Sequence, residues 1–180
     1  MNTISLTEKT GNIAGMPRRL SAYMVDYLLM LITLAAIHAG IYFSGLNPIL
    51  NGALSVTGLN MHLWVFFSAT LPILLYFWLF FHRGETPGMR LLGLQVRKRD
   101  RTMLSAWQAL GRAVVLLIPF EINHVIWFYP QPAWLDKPPD FRMAGLIVYA
   151  LLAIYLVVSL LNTKRQSVHD FVAGSIVVRV

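Results

Sequence analysis

The 180-residue chain contains no cysteine, so it can form no disulfide, no thiolate nucleophile and no cysteine-ligated metal site. Charged residues are also scarce, at 13% of the chain, whereas soluble domains carry roughly 25%. Acidic side chains are the scarcest, with 8 Asp and Glu against 15 Lys and Arg and a formal net charge of +7. Because 57% of the residues are hydrophobic, the composition excludes an ordinary soluble domain and predicts one integral membrane protein.

The first 17 residues lack the apolar core and small-residue cleavage site of a signal peptide, so we expect the first apolar run to remain in the mature protein. Four runs are long enough to cross a bilayer. They predict spans at about residues 20–43, 62–81, 104–128 and 141–161. We therefore expect an all-α integral membrane protein, a bundle of four transmembrane helices with a short cytoplasmic cap formed by the basic loop and the C-terminal tail. Residues 1–19 are then a cytoplasmic N-terminal segment, and residues 20–180 form the membrane domain.

The basic residues are distributed unevenly around these spans. Of the 15 Lys and Arg, 13 lie in the N-terminal tail, the second loop, the start of the third span or the C-terminal tail, and the other two are Lys137 and Arg142. The positive-inside rule therefore places both termini in the cytoplasm, with the chain in the inner membrane. Basic residues beside apolar spans also favour contact with anionic lipid headgroups. No basic segment carries the stacking aromatics typical of nucleic-acid binding, so we expect no nucleic-acid partner.

Asp26 is a carboxylate about two turns inside the first span, shortly after Arg18 and Arg19. An ionisable group at membrane depth is costly, so it normally has a partner or a function. In one interpretation Asp26 binds a proton or a small cation. In the other it forms a salt bridge with Arg112 of the third span, which should lie at a similar depth. The two interpretations conflict, since a close guanidinium would occupy the carboxylate oxygens.

Glu121 is the second acidic residue within a predicted span, and it precedes His124 in a Glu-x-x-His spacing. Dinuclear metal sites in helical bundles need two such motifs, so a single copy predicts no metal centre. Glu121 is either the outward stage of an ion path or a side chain that reaches water together with Asn123 and His124. We expect His38, near the outer end of the first span, to form a hydrogen bond between helices.

The tail carries the pattern of a capping box, with Ser167 as N-cap and Asp170 three residues later, followed by Gly174 as a helix terminator. Asp170 could also reach Arg18 or Arg19, and the run after Gly174 favours a β-strand. Capping explains the adjacent histidine and aspartate better than catalysis does, because no Ser or Cys nucleophile is evident within reach. We therefore expect no enzyme, and the glycines of residues 84–88 lack the ending of a phosphate loop.

Three blocks together resemble the RDD family of bacterial multi-pass membrane proteins, which is named for an arginine and two aspartates. The blocks are Arg18–Asp26, Thr86–Val96 with the following Gln108–Arg112, and Arg165–Val178. The resemblance places the arginine on Arg18 or Arg19 and the aspartates on Asp26 and Asp170. Where the family usually has Gly-Lys, this chain has Gly88-Met89-Arg90. Some members are described as exchanging sodium or related cations for protons.

Two functions follow as expectations. In the first, the chain is a monovalent cation/proton antiporter that binds ions or protons at Asp26 and Glu121. In the second, it is a non-transporting assembly protein, or a protein that binds lipid or a partner, and the charge cluster of Arg18, Arg19, Arg112 and Asp170 is structural. We expect no cofactor and no metal. The expected partners are membrane lipids, monovalent cations, protons, and a second copy or another membrane protein, since four helices alone are few for alternating access.

Overall fold

The computed structural model describes residues 13–47, 52, 58–128 and 141–180. The described chain is mostly helical. Its helices are α1 (Met16–Phe43), α2 (Gly58–Val65), a π-helical turn (Phe66–Thr70), α3 (Leu71–Arg83), α4 (Pro87–Leu91), α5 (Ala106–Phe128), α6 (Phe141–Leu161) and α7 (Val168–Ala173). The strands are β1 (Leu94–Lys98) and β2 (Ser175–Arg179).

Three stretches are long and apolar enough to cross a membrane, namely Met16–Phe43, Gly58–Arg83 and Ala106–Trp127. Helix α1 alone is about 42 Å long, which exceeds the roughly 30 Å of a bilayer's hydrocarbon core. It begins four residues before the predicted span, with Pro17 in its first turn, where a proline sacrifices no helical hydrogen bond. The run predicted as a fourth span forms α6, whose described apolar stretch, Gly145–Leu161, is shorter than the other three.

Two prolines interrupt the backbone bonding of these helices. In the second span, Pro72 follows the π-helical turn, where the Leu71 N–H bonds the carbonyl of Phe66 instead of the carbonyl four residues back. Such turns are rare in proteins, and those that occur often lie at functional sites. In α5, Pro119 has no N–H for the carbonyl of Val115, and the Tyr155 hydroxyl of α6 donates to that carbonyl at 2.5 Å.

The expectation of an all-α protein is wrong in one respect, because β1 and β2 form a two-stranded antiparallel sheet with Val96 opposite Val177. Strand β2 coincides with the β-prone run of the tail. The β1 residues belong to the basic loop, for which no strand was predicted, and in the structure Leu94 and Val96 are buried while Gln95 between them is half-buried. That alternation has the period of a strand.

Contacts divide the chain into two compact units. The first unit comprises Met1–Leu28, Tyr76–Leu116 and Ala153–Val180, and it contains the sheet, α4, α7 and parts of the long helices. Its buried apolar residues include Phe81, Met89, Leu94, Val96, Leu104, Ala109 and Val177. The second unit comprises Leu29–Leu75 and Leu117–Leu152, and it contains α2, the π-helical turn and the remaining parts of the long helices.

Candidate functional site: the aspartate clusters of the first unit

Asp170 lies in the first turn of α7, where the predicted capping box with Ser167 is present. The Ser167 backbone N–H donates to Asp170 Oδ2 at 3.2 Å. Helix α7 ends at Gly174, which has the positive φ of 63° that a left-handed C-cap requires. The local sequence therefore forms a short helix that holds one carboxylate in a fixed position. That carboxylate is only 1% exposed.

Two arginines from two different helices share the Asp170 carboxylate. Arg112 of α5 donates from Nε and Nη2 to Oδ1 at 3.0 and 2.6 Å. Arg19 of α1 donates from Nη1 to Oδ2 at 3.2 Å. The hydroxyl of Ser175, at the start of β2, adds a further donor to Oδ1 at 3.1 Å. Asp170 thus joins α1, α5, α7 and β2 through one side chain.

Arg19 uses its remaining donors on backbone carbonyls at both ends of the described chain. Nε donates to Ala14 at 3.2 Å, Nη1 also donates to Arg165 at 2.5 Å, and Nη2 donates to Val177 at 3.2 Å. The side chain is 3% exposed. A guanidinium has five N–H donors and no acceptor, so it suits a site where carbonyls converge. Arg19 therefore links the start of α1 to the tail and the sheet.

Arg112 is fully buried and lies over an aromatic ring as well as against Asp170. Its guanidinium carbon is 4.0 Å from the centroid of the Phe81 ring, within the range of a cation–π interaction. Nη2 also lies 3.4 Å from the Tyr23 hydroxyl. Within the described part of the chain, Nη1 has no hydrogen-bond partner.

The electrostatics of this cluster keep Asp170 charged and its neighbour His169 neutral. Burial acts to raise the pKa of Asp170, but the positive charges of Arg112 and Arg19, with the hydrogen bonds from Arg112, outweigh it and lower that pKa to about 2. Burial lowers the pKa of His169 to about 3, against the opposing effect of Asp170. At neutral pH two guanidiniums thus face one carboxylate, and the cluster carries a net charge of +1.

Asp26 forms a separate cluster with uncharged donors. The hydroxyls of Tyr76 and Thr86 donate to its two oxygens at 2.7 and 2.5 Å, and the Gly88 N–H donates at 2.8 Å. The carboxylate has 0% exposure. Gly88 is needed because a Cβ there would lie 2.2 Å from the backbone oxygen of Ala22, so only glycine lets α4 approach α1 this closely.

The sequence model of the RDD family matches residues 13–174, a stretch that contains both aspartate clusters. The chain belongs to the RDD family. The family is made of membrane proteins, in agreement with the apolar helices of this chain. No curated protein and no solved structure matches the sequence.

In this RDD protein, the structure brings together only some of the residues that the sequence singled out. Arg19, Arg112 and Asp170 lie in one cluster, whereas Arg18 is exposed to the surroundings. The hypothesis of an Asp26–Arg112 salt bridge is wrong, since Arg112 binds Asp170 and Asp26 has the three neutral partners named above. Equal depth along two helices does not decide which way each side chain faces.

Glu121 belongs to the second unit, whereas both aspartate clusters belong to the first. It accepts a hydrogen bond from Thr70 at 2.7 Å and lies beside His62 and His124. His38 bonds Ser68 across helices at 3.2 Å, which confirms the expectation for that histidine. Among the described residues, no group of three or more His, Cys, Asp or Glu side chains is placed to hold a metal ion.

Sequence reasoning missed the uncharged partners of Asp26, namely Tyr76, Thr86 and Gly88. One signal could have found two of them, because Thr86 directly before Pro87 is a typical helix N-cap followed by proline at N1. A helix N-terminus presents backbone N–H groups that suit a carboxylate. Nothing local indicated Tyr76, which lies in an apolar run with no polar neighbour.

Proposed function

We propose that this RDD protein has four membrane spans, with α6 as the fourth, and that both termini lie on the cytoplasmic side of the bacterial inner membrane. The distribution of 13 of the 15 basic residues supports this orientation. In this arrangement the first unit is a cytoplasmic cap together with the helix ends that carry it.

We further propose that the chain is a non-transporting assembly and binding protein rather than an enzyme, and that its two aspartate clusters fasten the cap to the spans. The observation that carries this proposal is the set of partners of Asp26. Its oxygens face three donors, all from the chain itself, at 2.5 to 2.8 Å. A cation at Asp26 would have to displace these hydrogen bonds from both carboxylate oxygens, so the arrangement favours a structural carboxylate.

The proposed binding surface is the outside of the cap, and its proposed ligands are anionic lipid headgroups. The exposed basic residues of the first unit are Arg18, Arg83, Arg90, Arg99, Arg101, Lys164, Arg165 and Arg179. Among the described acidic residues of that unit, Asp100 is exposed, Glu85 is half-buried and the two cluster aspartates are buried. Such an excess of cations beside a bilayer attracts anionic lipid at about 1 kcal/mol per basic residue.

The second candidate function is cation/proton exchange, and one observation favours it. Asp26 is a fully buried carboxylate within a candidate span, and its three hydrogen-bond partners, Tyr76, Thr86 and Gly88, carry no positive charge. A carboxylate in that position is a default candidate for a proton site. As a transporter, this chain would act with a second copy or another membrane protein, because few helices surround the site.

One experiment separates the two functions. Purified protein and its Asp26→Asn variant are reconstituted into proteoliposomes, and proton movement driven by sodium or potassium is measured alongside thermal unfolding. We expect no cation-driven flux in either protein and a clear loss of stability in the variant, since an amide cannot accept from all three donors. Asp100→Asn, an exposed aspartate of the same unit, is the matched control. Flux in the wild type that vanishes in a stably folded Asp26→Asn protein would refute the structural role.

The lipid proposal has its own test. The melting temperature of the protein is compared in nanodiscs of zwitterionic lipid and in nanodiscs that contain anionic lipid, at low and high salt. We expect anionic lipid to stabilise the wild type and salt to weaken the effect. Charge removal at the exposed Arg99 and Arg101 should reduce the stabilisation. Equal melting temperatures in both lipids would refute this binding surface.

A further inference from the structure

The second unit holds a cluster of titratable side chains that has no part in the proposed function. Glu121 and His124 come from α5, His62 comes from α2, and Thr70 closes the π-helical turn. The Thr70 hydroxyl lies 2.7 Å from Glu121 Oε2 and 3.1 Å from His124 Nδ1. His124 Nδ1 is itself 3.6 Å from Glu121 Oε2. All of these residues lie in candidate membrane spans.

Thr70 can connect Glu121 and His124 in only two ways, because a hydroxyl has a single hydrogen to donate. In one arrangement Thr70 donates to an ionised Glu121 and accepts from an N–H at His124 Nδ1. In the other, Thr70 donates to a bare His124 Nδ1 and accepts from a protonated Glu121. The two arrangements differ in the position of one proton, and both preserve the contacts of Thr70 with Glu121 and His124.

His62 has a different place in the cluster. Its Nε2 lies 3.5 Å from Glu121 Oε1, and its Nδ1 is buried with no hydrogen-bond partner among the described residues. A second ring hydrogen, at Nδ1, would therefore be a buried donor with no acceptor, which is costly. This geometry favours a neutral His62 and leaves His124 as the imidazole that shares a proton with Glu121.

One further titratable group approaches the π-helical turn from a neighbouring helix. His38 of α1 contacts Ser68 through Nε2 at 3.2 Å, while its Nδ1 lies 2.8 Å from the carbonyl of Leu34. Both ring nitrogens thus have partners outside the cluster. The proton shared by Glu121 and His124 therefore does not need His38.

We propose that Glu121, Thr70 and His124 form an intramembrane proton-binding site, which takes one proton from water and holds it on either the carboxyl or the imidazole. The transfer is balanced. The proton of His124 Nδ1 moves to Thr70 Oγ1 while the Thr70 hydroxyl proton moves to Glu121 Oε2, so the ion pair becomes a neutral pair. Uptake of one proton removes the net negative charge of the Glu121–His124 pair. A net charge at membrane depth is costly.

The test uses the full-length protein in lipid nanodiscs, with infrared difference spectra recorded as pH is varied. We expect a carboxyl C=O band that titrates in the wild type and is absent from Glu121→Gln. The matched pair Thr70→Val and Thr70→Ser examines the relay, because only serine keeps the hydroxyl. Loss of a hydrogen bond to a charged group should shift the midpoint by about one pH unit in the valine variant, and serine should leave it near the wild-type value.

Nitrogen NMR of the wild type provides a readout that needs no variant to fold. We expect the Nδ1 signal of His124 to change its protonation over the same pH range as the carboxyl band. Titrating carboxyl bands that are identical in the wild type and in Glu121→Gln, or equal midpoints in the valine and serine variants, would overturn the proposal. So would an Nδ1 signal that stays constant while the carboxyl titrates.

Discussion

Replacing Asp170 by asparagine should be among the most destabilising single changes in this protein. A pKa of about 2 instead of the ordinary 3.8 means that the ionised carboxylate favours the folded state by roughly 2 kcal/mol. The asparagine variant also leaves Arg19 and Arg112, which are 3% and 0% exposed, with no carboxylate between them. Removal of one partner from a buried ion pair typically costs about 3–5 kcal/mol, and we expect a loss in that range.

The loss can be measured by reversible unfolding in mixed micelles as the fraction of a denaturing detergent is increased. The matched control is Asp100→Asn, which removes an exposed carboxylate from the same unit and should leave the transition unchanged. The pH dependence is a second measurement. Because the folded pKa of Asp170 is lowered, its contribution is complete above about pH 4 and is lost as pH falls towards about 2.

A double-mutant cycle then tests the mechanism. If the cost of Asp170→Asn arises from uncompensated positive charge, the added change Arg112→Met should restore part of the lost stability, with a coupling of about 1–3 kcal/mol. Strictly additive effects would contradict the electrostatic explanation. A loss below about 1 kcal/mol for Asp170→Asn alone would refute the reasoning as a whole.

Three further predictions concern stability. Because burial lowers the folded pKa of His169 from 6.5 to about 3, wild-type stability should fall by about 1.4 kcal/mol per pH unit between about pH 6 and pH 4, and His169→Gln should abolish that slope in acid-dependent unfolding. Gly88→Ala should destabilise by about 1–3 kcal/mol, because its Cβ would overlap a backbone oxygen, whereas Gly111→Ala, with nothing within 4 Å, should be neutral or stabilising in the same assay. Tyr155→Phe should lower the free energy of unfolding by about 1 kcal/mol, because the Val115 carbonyl loses its hydrogen-bond donor. Tyr149→Phe, at a residue that is 71% exposed, should leave the thermal unfolding transition unchanged.

Each of these predictions has an outcome that contradicts it. An unchanged acid slope in His169→Gln would mean that other groups govern acid unfolding in that pH range. Equal stabilities for the two alanine variants would contradict the close approach of α4 to α1. Equal stabilities for the two phenylalanine variants would mean that the carbonyl freed by the proline of α5 finds another partner.

The sequence predicted the features of this fold that depend on local pattern. Long apolar runs located the helices to within a few residues, and the spacing of Ser167, Asp170 and Gly174 predicted α7 with both of its ends. Each signal acts within one segment, so no knowledge of neighbouring segments was needed. Strand β1 was missed because a five-residue run beside many basic residues is a weak signal without its partner strand.

The sequence could not predict which charges meet. Arg112 and Asp26 are plausible partners by depth, but helix rotation directs Arg112 towards α7, and Asp170 reaches it from 58 residues further along the chain. The partners of Asp26 come from two other segments. One of them, α4, can approach α1 closely only because residue 88 is glycine. Such pairings depend on where the C-terminal tail packs against the helices and on how closely the helices approach each other. The hydrophobic periodicity of a single segment contains no information about either.

The separation of the two clusters has an electrostatic consequence for the first unit. The Asp170 cluster has two guanidiniums for one carboxylate, with His169 neutral, while the Asp26 cluster has one carboxylate and neutral donors. The excess positive charge at Arg112 is stabilised by the Phe81 ring, and that at Arg19 by three backbone carbonyls. Each cluster is therefore held by groups that fix backbone positions. Neutralising one charge should destabilise the first unit, because the remaining partners are donors or acceptors already oriented for that charge.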